Sequence, residues 1–310
     1  MMRNSTLLLF LATLVTLFCC DEGTTDKQAN VEQLPRIASQ VSDATSDINF
    51  PSFELIGEID GIFQRPESIV YDSTTGLLYV SNVGKDADDS SETDGYISKL
   101  NLHGQIIDQR WVEGLSDPRG MCINGNILLV ADINRIVKID IKSGKVKGTI
   151  SVPNLKQLSD LEKDTDGVVY ATDTKSNSIY TLRDGLLKLW KEDNTFDGPT
   201  GLYHSGDQLL VTSAGGSKLM AIDIKSGKTH QIADSLQQAR GITMIGQDLI
   251  VGGLSGQLYG VKASVDFRWP LIDLQMQQDN FADILYIEEY NVMFVPTFRG
   301  NSVLAISVLN

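Results

Sequence analysis

Residues 199–213 read PTGLYHSGDQLLVTS, which places a small or polar pair before an apolar stretch, a turn and a second apolar stretch. The same order recurs in five other segments. They are PESIVYDSTTGLLYVSN (66–82), PRGMCINGNILLVAD (118–132), SDLEKDTDGVVYATD (159–173), ARGITMIGQDLIVGG (239–253) and ADILYIEEYNVMFVPT (282–297). One anchor residue at the start of each segment gives a series with a spacing of roughly 40 to 50 residues, which is typical of repeat architectures. The anchors are Glu67, Arg119, Asp160, Thr200, Arg240 and Asp283.

A third, alternating run follows each segment, from ISKL (97–100) in the first unit to VLAI (303–306) in the last. Alternation of this length is typical of half-buried antiparallel strands. The heptapeptide IDIKSGK occurs at 139–145 and again at 222–228, and its Ser-Gly pair predicts a turn into a fourth strand. Six units of four strands predict an all-β fold, a six-bladed β-propeller with four-stranded blades.

The sixth unit contains three strands before Asn310, so its fourth strand must come from elsewhere in the chain. The stretch FELIGEI (53–59) precedes the first unit and has no other partner. We expect this N-terminal strand to close the ring, because closure protects an open sheet edge. The sequence therefore predicts one propeller domain over 51–310, and we expect it to be a monomer.

The first twenty residues, MMRNSTLLLFLATLVTLFCC, place Arg3 before an apolar run that is too short to span a bilayer. The ending LFCC resembles a bacterial lipoprotein signal, and this implies that 1–19 are a signal peptide and that Cys20 is lipidated. An uncleaved anchor or plain secretion stays open. Residues 20–50 are polar and predict a flexible tether. We expect a lipid-anchored protein of the bacterial envelope, periplasmic or at the cell surface, which meets the membrane through its anchor.

The chain is acidic, with 40 Asp and Glu residues against 26 Lys and Arg residues and a formal net charge of −14. Nucleic-acid binding depends on a basic surface, so nucleic acid is not an expected partner. Cys122 is the one cysteine after the leader, and its apolar neighbours predict a buried thiol without a disulfide. Four aromatic side chains are expected to pack between blades. They are Phe63, Trp111, Trp190 and Trp269.

The first strand of each propeller blade lines the central channel, so the six anchor residues should meet at one mouth of it. Three interpretations stay open. The anchors could form a structural ring of salt bridges, or a ligand site in which the arginines grip a carboxylate or phosphate, or a metal site. The ends of the second strands should reach the same face. They are Asn82, Asp132, Asp173, Ser213 and Thr297.

The acidic loop GKDADDSSETDG (84–95) should lie at this face as well. A calcium site is one hypothesis for it. Because the loop lacks the glycine and the glutamate that an EF-hand loop needs, we favour a solvated acidic loop.

Residues 67–82, ESIVYDSTTGLLYVSN, resemble the first-blade signature of the senescence-marker-protein/gluconolactonase/regucalcin family, whose propellers are NHL-like and TolB-like. The segments 159–173 and 199–213 resemble later blades of the same family and resemble NHL repeats equally well. The resemblance implies one divalent metal (calcium, zinc or manganese) at the channel mouth and hydrolysis of sugar lactones. It also implies a metal-ligand set of one Glu, one Asn and one Asp, the Asp being the general base. Glu67 matches this set, whereas Thr200 stands at the Asn position and Arg240 at the Asp position.

An arginine repels a dication, and the loss of the aspartate removes both a ligand and the base. We therefore expect ligand or protein binding at the channel mouth, with a small anionic ligand or a protein as the partner, without a cofactor and without metal catalysis. The alternative is a divergent lactonase-like hydrolase in which Glu67, Asp160 and Asp283 bind the metal. A third hypothesis is a protein-interaction platform with a plugged channel, as in NHL proteins.

Overall fold

The computed structural model describes residues 51–84, 93–262, 267–273 and 279–309, with only the backbone described at Phe267 and Arg268. The predicted leader, Cys20 and the tether lie outside these residues, as does most of the acidic loop 84–95. Within the described part of the chain, no helix has the length and apolar character needed to cross a membrane.

The described strands form six antiparallel four-stranded sheets, which confirms the predicted six-bladed β-propeller. Blade 1 contains β2 (Pro66–Asp72), β3 (Leu77–Asn82), β4 (Gly95–Asn101) and β5 (Ile106–Leu115). Blade 2 contains β6 (Pro118–Asn124), β7 (Ile127–Asp132), β8 (Arg135–Asp140) and β9 (Val146–Ile150). Blade 3 contains β10 (Leu158–Lys163), β11 (Val169–Asp173), β12 (Ser178–Arg183) and β13 (Leu186–Glu192).

Blade 4 contains β14 (Pro199–Ser205), β15 (Gln208–Ser213), β16 (Lys218–Asp223) and β17 (Thr229–Ala233). Blade 5 contains β18 (Ala239–Ile245), β19 (Asp248–Gly253), β20 (Gln257–Lys262) and β21 (Phe267–Asp273). Blade 6 contains β22 (Leu285–Ile287), β23 (Val292–Thr297), β24 (Ser302–Leu309) and β1 (Ser52–Ile59). Short 3₁₀ turns occupy Thr174–Ser176, Asn194–Phe196 and Glu288–Tyr290.

The ring closes between the two ends of the domain, as the sequence predicted. Strand β1 pairs antiparallel with β24, in a register that runs from Ser52 opposite Leu309 to Ile59 opposite Val303. The pairing completes blade 6 and covers the outer edge of β24, which an open ring would expose to other chains.

The apolar core is divided into six clusters, one between each pair of neighbouring blades. Cys122 is buried in the cluster between blades 2 and 3, and burial raises the pKa of its thiol. Trp111 packs on the cluster between blades 1 and 2, and Trp190 on the cluster between blades 3 and 4. The buried thiol and the blade-packing role of these tryptophans therefore confirm the sequence predictions.

Candidate functional site

The same irregularity in the first strand of five blades lifts each anchor out of the hydrogen-bonded ladder. The register between first and second strands shifts next to the anchor, for example between Pro66 and Ser68 in blade 1 and between Leu158 and Leu161 in blade 3. Blades 2, 4 and 5 show the same shift. A β-bulge turns a side chain away from its regular direction, so these anchors do not follow the regular alternation of their strands.

Four of the six predicted anchors line one cavity at the channel mouth. They are Glu67, Asp160, Arg240 and Asp283, contributed by blades 1, 3, 5 and 6. The cavity measures about 10 Å³, which is room for about one water molecule. Four residues, each directly next to an anchor in the sequence, complete the lining of the cavity. They are Ser159, Gly201, Gly241 and Ala282.

The charged group of Arg240 is only loosely held by the residues that the structure describes. Its Nη1 lies 3.6 Å from Oε1 of Glu67, and its Nε is buried without a hydrogen-bond partner among the described residues. Burial lowers the pKa of the guanidinium, which the carboxylate of Glu67 partly offsets. An arginine remains charged despite such a shift, so the cavity wall carries a cation with an unused donor.

Arg119, in contrast, forms an ion pair with Asp117, a residue that the sequence predictions missed. Its Nε and Nη2 donate to Oδ2 of Asp117 at 2.9 Å and 2.8 Å. Burial lowers the pKa of Arg119, but Asp117 and Glu67 outweigh it and raise the pKa overall. Asp117 directly precedes Pro118, the first residue of the repeat segment 118–132. An acid two residues before an arginine anchor was the available signal for it.

Glu67 is buried with 6% exposure and faces both arginines. Burial raises its pKa from 4.5 to about 7, while Arg119 and Arg240 act in the opposite direction. Its ion pair with Arg240 is the one contact that the described residues show for its carboxyl group. Glu67 can therefore gain or lose a proton near neutral pH beside the unused donor of Arg240.

The carboxyl groups of Asp160 and Asp283 each form hydrogen bonds across a blade boundary. Asp160 accepts hydrogen bonds from the backbone N–H groups of Leu161 (2.7 Å) and of Leu202 in blade 4 (2.8 Å). Asp283 accepts from the N–H of Ile284 and from the hydroxyl of Ser68 in blade 1, both at 2.7 Å. Burial raises the pKa of both carboxyls, and the charge of Asp283 raises that of Asp160 further. These two anchors therefore stabilise the ring as well as line the cavity.

Thr200 does not line the cavity. It is fully buried, and its hydroxyl donates to the carbonyl of Ala239 at 2.8 Å and lies 3.0 Å from the hydroxyl of Thr212. This network joins blade 4 to blade 5. The structure thus brings five anchors to the mouth and places the sixth in the wall between blades.

The side chains at the ends of the second strands accept hydrogen bonds from backbone N–H groups of the loops that precede the first strands. Asp173 shows the pattern, because its carboxylate accepts from the backbone N–H groups of Lys156 (2.7 Å) and Gln157 (3.0 Å). Asp132 accepts in the same way from the N–H of Asp117, and Asn82 from that of Gln64. These buried side chains satisfy loop backbone groups that would otherwise be unpaired. Their function in the described structure is therefore structural.

Glu162 is a half-buried carboxyl that the sequence predictions missed. It lies two residues beyond Asp160 on β10, and its Oε1 accepts a hydrogen bond from the N–H of His204 in blade 4. Burial raises its pKa to about 7. Strand alternation, which puts residues two apart on one face, was the signal that could have found it.

The donor set at the mouth does not fit a divalent metal. Across the residues that the structure describes, no three His, Cys, Asp or Glu side chains lie close enough together to hold a metal ion. Thr200 has its hydroxyl committed to the blade wall, and the guanidinium of Arg240 lies beside Glu67. A fixed cation at that point opposes a dication.

The fold and the site together define a class of protein. It is a six-bladed propeller with arginines and buried carboxyls at its channel mouth. No family model and no curated protein matches the chain. Its fold is similar to that of a gluconolactonase from Xanthomonas campestris, with a TM-score of 0.66, 14% identity, and coverage of 84% of this chain and 96% of that one.

Two lyases have the same fold. One is a catalytically inactive variant of virginiamycin B lyase from Staphylococcus aureus, in a crystal structure with quinupristin (TM-score 0.59, 16% identity, 83% of this chain and 100% of that one). The other is a streptogramin B lyase (TM-score 0.58, 15% identity, 83% and 98%). At these identities the likenesses show the fold that gluconolactonase-like propellers and these lyases share.

Proposed function

We propose that this chain is an extracytoplasmic lipoprotein whose gluconolactonase-like propeller binds a small anionic ligand at the channel mouth without metal catalysis. The observation that carries the proposal is the state of Arg240, a half-buried guanidinium in the wall of the cavity whose buried Nε–H has no hydrogen-bond partner among the described residues. A buried donor without a partner costs free energy, and an acceptor brought by a ligand would recover it.

The chemistry around Arg240 favours a carboxylate as the group that binds. Guanidinium and carboxylate form parallel, charge-assisted hydrogen bonds, and Nε with one Nη supplies such a pair of donors. Glu67 competes for Nη1 from 3.6 Å while it is ionised. Because burial raises its pKa to about 7, Glu67 can take up a proton and release Arg240 to an incoming anion. Binding should therefore be tighter at acidic than at alkaline pH.

The size of the cavity limits what enters it. A volume of about 10 Å³ is room for about one water molecule, so only a small anionic head group can reach Arg240, and Glu67 must shift to admit it. The rest of the ligand would lie outside, over the mouth. This arrangement suits a sugar acid or a similar compact carboxylate better than a folded protein partner.

Calorimetric titration of the purified protein with sodium gluconate, at about pH 6 and about pH 8, tests the proposal. We expect saturable binding that is tighter at the lower pH and is at least about tenfold weaker in Arg240→Gln, since a hydrogen bond to a charged group contributes about 1.5–3 kcal/mol. Arg183→Gln is the matched control, because Arg183 is exposed at the end of β12 and does not line the cavity. Absence of binding by gluconate and by a panel of other small carboxylates would contradict the proposal.

The proposed lipid on Cys20 needs its own experiment. Cells that express the chain with an alkyne-bearing fatty acid in the medium should label the wild type, and the label should be lost in Cys20→Ser together with recovery of the protein in the membrane fraction. Equal labelling of both proteins, or recovery of both in the soluble fraction, would exclude a lipid on Cys20.

A further inference from the structure

Outside the channel, a polar cavity of about 400 Å³ lies where the outer strands of blades 3 and 4 meet. It is lined from the blade 3 side by β13 and the 3₁₀ turn that follows, and from the blade 4 side by β16 and β17 with the turn between them. The lining side chains that matter here are the basic and hydroxyl groups. They are Lys191, Lys218, Lys228, His230, Thr195 and Thr229.

We propose that this groove is a second binding site, which takes a small organic molecule through a phosphate or sulfate group. The site is independent of the channel mouth, because none of its lining residues is shared with the cavity around Arg240. A volume of about 400 Å³ falls in the range of small-molecule sites, roughly 300–1,000 Å³.

The charge in the groove is opposite to that of the whole chain. Three lysines line it against a single acid, Asp193, while the chain carries a formal net charge of −14. Asp193 is ionised, because hydrogen bonds from Thr195 hold the pKa of its carboxyl below the usual range. A local excess of positive charge on an acidic protein concentrates anions at that place.

The three lysines are not equally available to a ligand. Lys191 donates to the carbonyl of Gly227 at 3.1 Å and lies 3.8 Å from Asp193, so it is partly committed. Lys218 and Lys228 form no hydrogen bond or ion pair through their ammonium groups within the described residues. Two ammonium groups therefore remain to neutralise a group that carries between one and two negative charges, as a phosphate monoester does.

A second and independent observation is an unused polar atom in the same wall. Thr229 lines the cavity, and its buried hydroxyl has no hydrogen-bond partner among the residues that the structure describes. Such groups are rare in folded proteins and call for an explanation, and an oxygen-rich ligand supplies one. Phosphate and sulfate offer several acceptor oxygens, which suits a groove whose lining includes Lys218, Lys228 and Thr229.

Titration of the full chain with glucose 6-phosphate, followed by calorimetry, tests the site, with glucose as the neutral probe and inorganic phosphate as the head group alone. We expect saturable binding of glucose 6-phosphate and none of glucose. Lys218→Gln and Lys228→Gln should each weaken binding by about tenfold, the value of one hydrogen bond to a charged group. Thr229→Val should also weaken binding while leaving the melting temperature unchanged or higher, because it removes an unpaired hydroxyl.

The matched control is Lys225→Gln, which removes a charge from the same turn at an exposed lysine that pairs with Asp207 at 3.5 Å and does not line the groove. Equal loss in Lys225→Gln would overturn the site, since the effect would then be general charge attraction. If Arg240→Gln lost glucose 6-phosphate binding and Lys218→Gln kept it, the phosphate would bind at the channel mouth. That result would also overturn the proposed site. So would an absence of binding by both glucose 6-phosphate and phosphate to the wild type.

Discussion

Replacement of Glu67 by glutamine should change how the stability of the propeller depends on pH. Burial raises the pKa of Glu67 from 4.5 to about 7 in the folded protein, against the lowering effect of Arg119 and Arg240. Between these two values the folded chain holds a proton on Glu67 that the unfolded chain has released. The stability that this proton provides is complete below about pH 4.5 and is lost as the pH rises through about 7.

The size of the effect follows from the pKa values. A rise from 4.5 to about 7 corresponds to about 3 kcal/mol of unfolding free energy. Glu67 is only 6% exposed, so little of this is lost to solvent screening. Glutamine resembles the protonated carboxyl, so the two proteins should be equally stable near pH 4.5. Near pH 8 the variant should be the more stable protein, by up to about 3 kcal/mol.

Urea unfolding followed by tryptophan fluorescence, over a pH series from about 4.5 to about 8, measures the difference directly. Other titrating groups contribute equally to both proteins, so the difference isolates Glu67 as long as they are independent of it. Glu192→Gln, at an exposed position on β13, is the control and should show no such trend. A Glu67→Gln variant that becomes less stable than the wild type as the pH rises would refute the reasoning. The ion pair with Arg240 would then outweigh the burial of Glu67.

Three further predictions concern the packing of the ring and the chemistry of its mouth. Gly120→Ala should destabilise the protein by about 1–3 kcal/mol in thermal unfolding, because the added Cβ would lie 2.4 Å from the Cα of Asp160 in the next blade. Gly57→Ala, where nothing lies within 4 Å, should be close to neutral. Asp173→Ala should lower the melting temperature by leaving loop N–H groups unpaired, and Asp173→Asn should recover part of the loss, because its amide oxygen still accepts. Calorimetric titration with calcium, manganese and zinc should give no saturable one-to-one heat, because the guanidinium of Arg240 lies beside Glu67 and opposes a dication. Tight binding that Glu67→Gln abolishes would instead support the lactonase alternative.

The sequence could predict the positions of most anchors because they follow from the repeat. The residue after Pro66 or Pro118 starts an inner strand, and inner strands surround one channel in any propeller. The same reasoning erred for Thr200, whose hydroxyl contacts Ala239 and Thr212 in the blade wall. A small side chain at a bulge can turn toward the neighbouring blade, as Thr200 does, and the repeat does not show which way it turns.

What the sequence determined by itself is the architecture: six units, four strands in each, and a ring closed by β1. These are properties of local alternation and of repeat length, and both can be read along the chain. Only the tertiary structure decided how the charges at the mouth pair, with Arg119 bound to Asp117 and Arg240 left facing Glu67. It also decided that a basic groove forms between blades 3 and 4. The physical reason is that these contacts join residues from different blades, or turn on the direction of a side chain at a bulge, and neither is fixed by the spacing of residues along the chain.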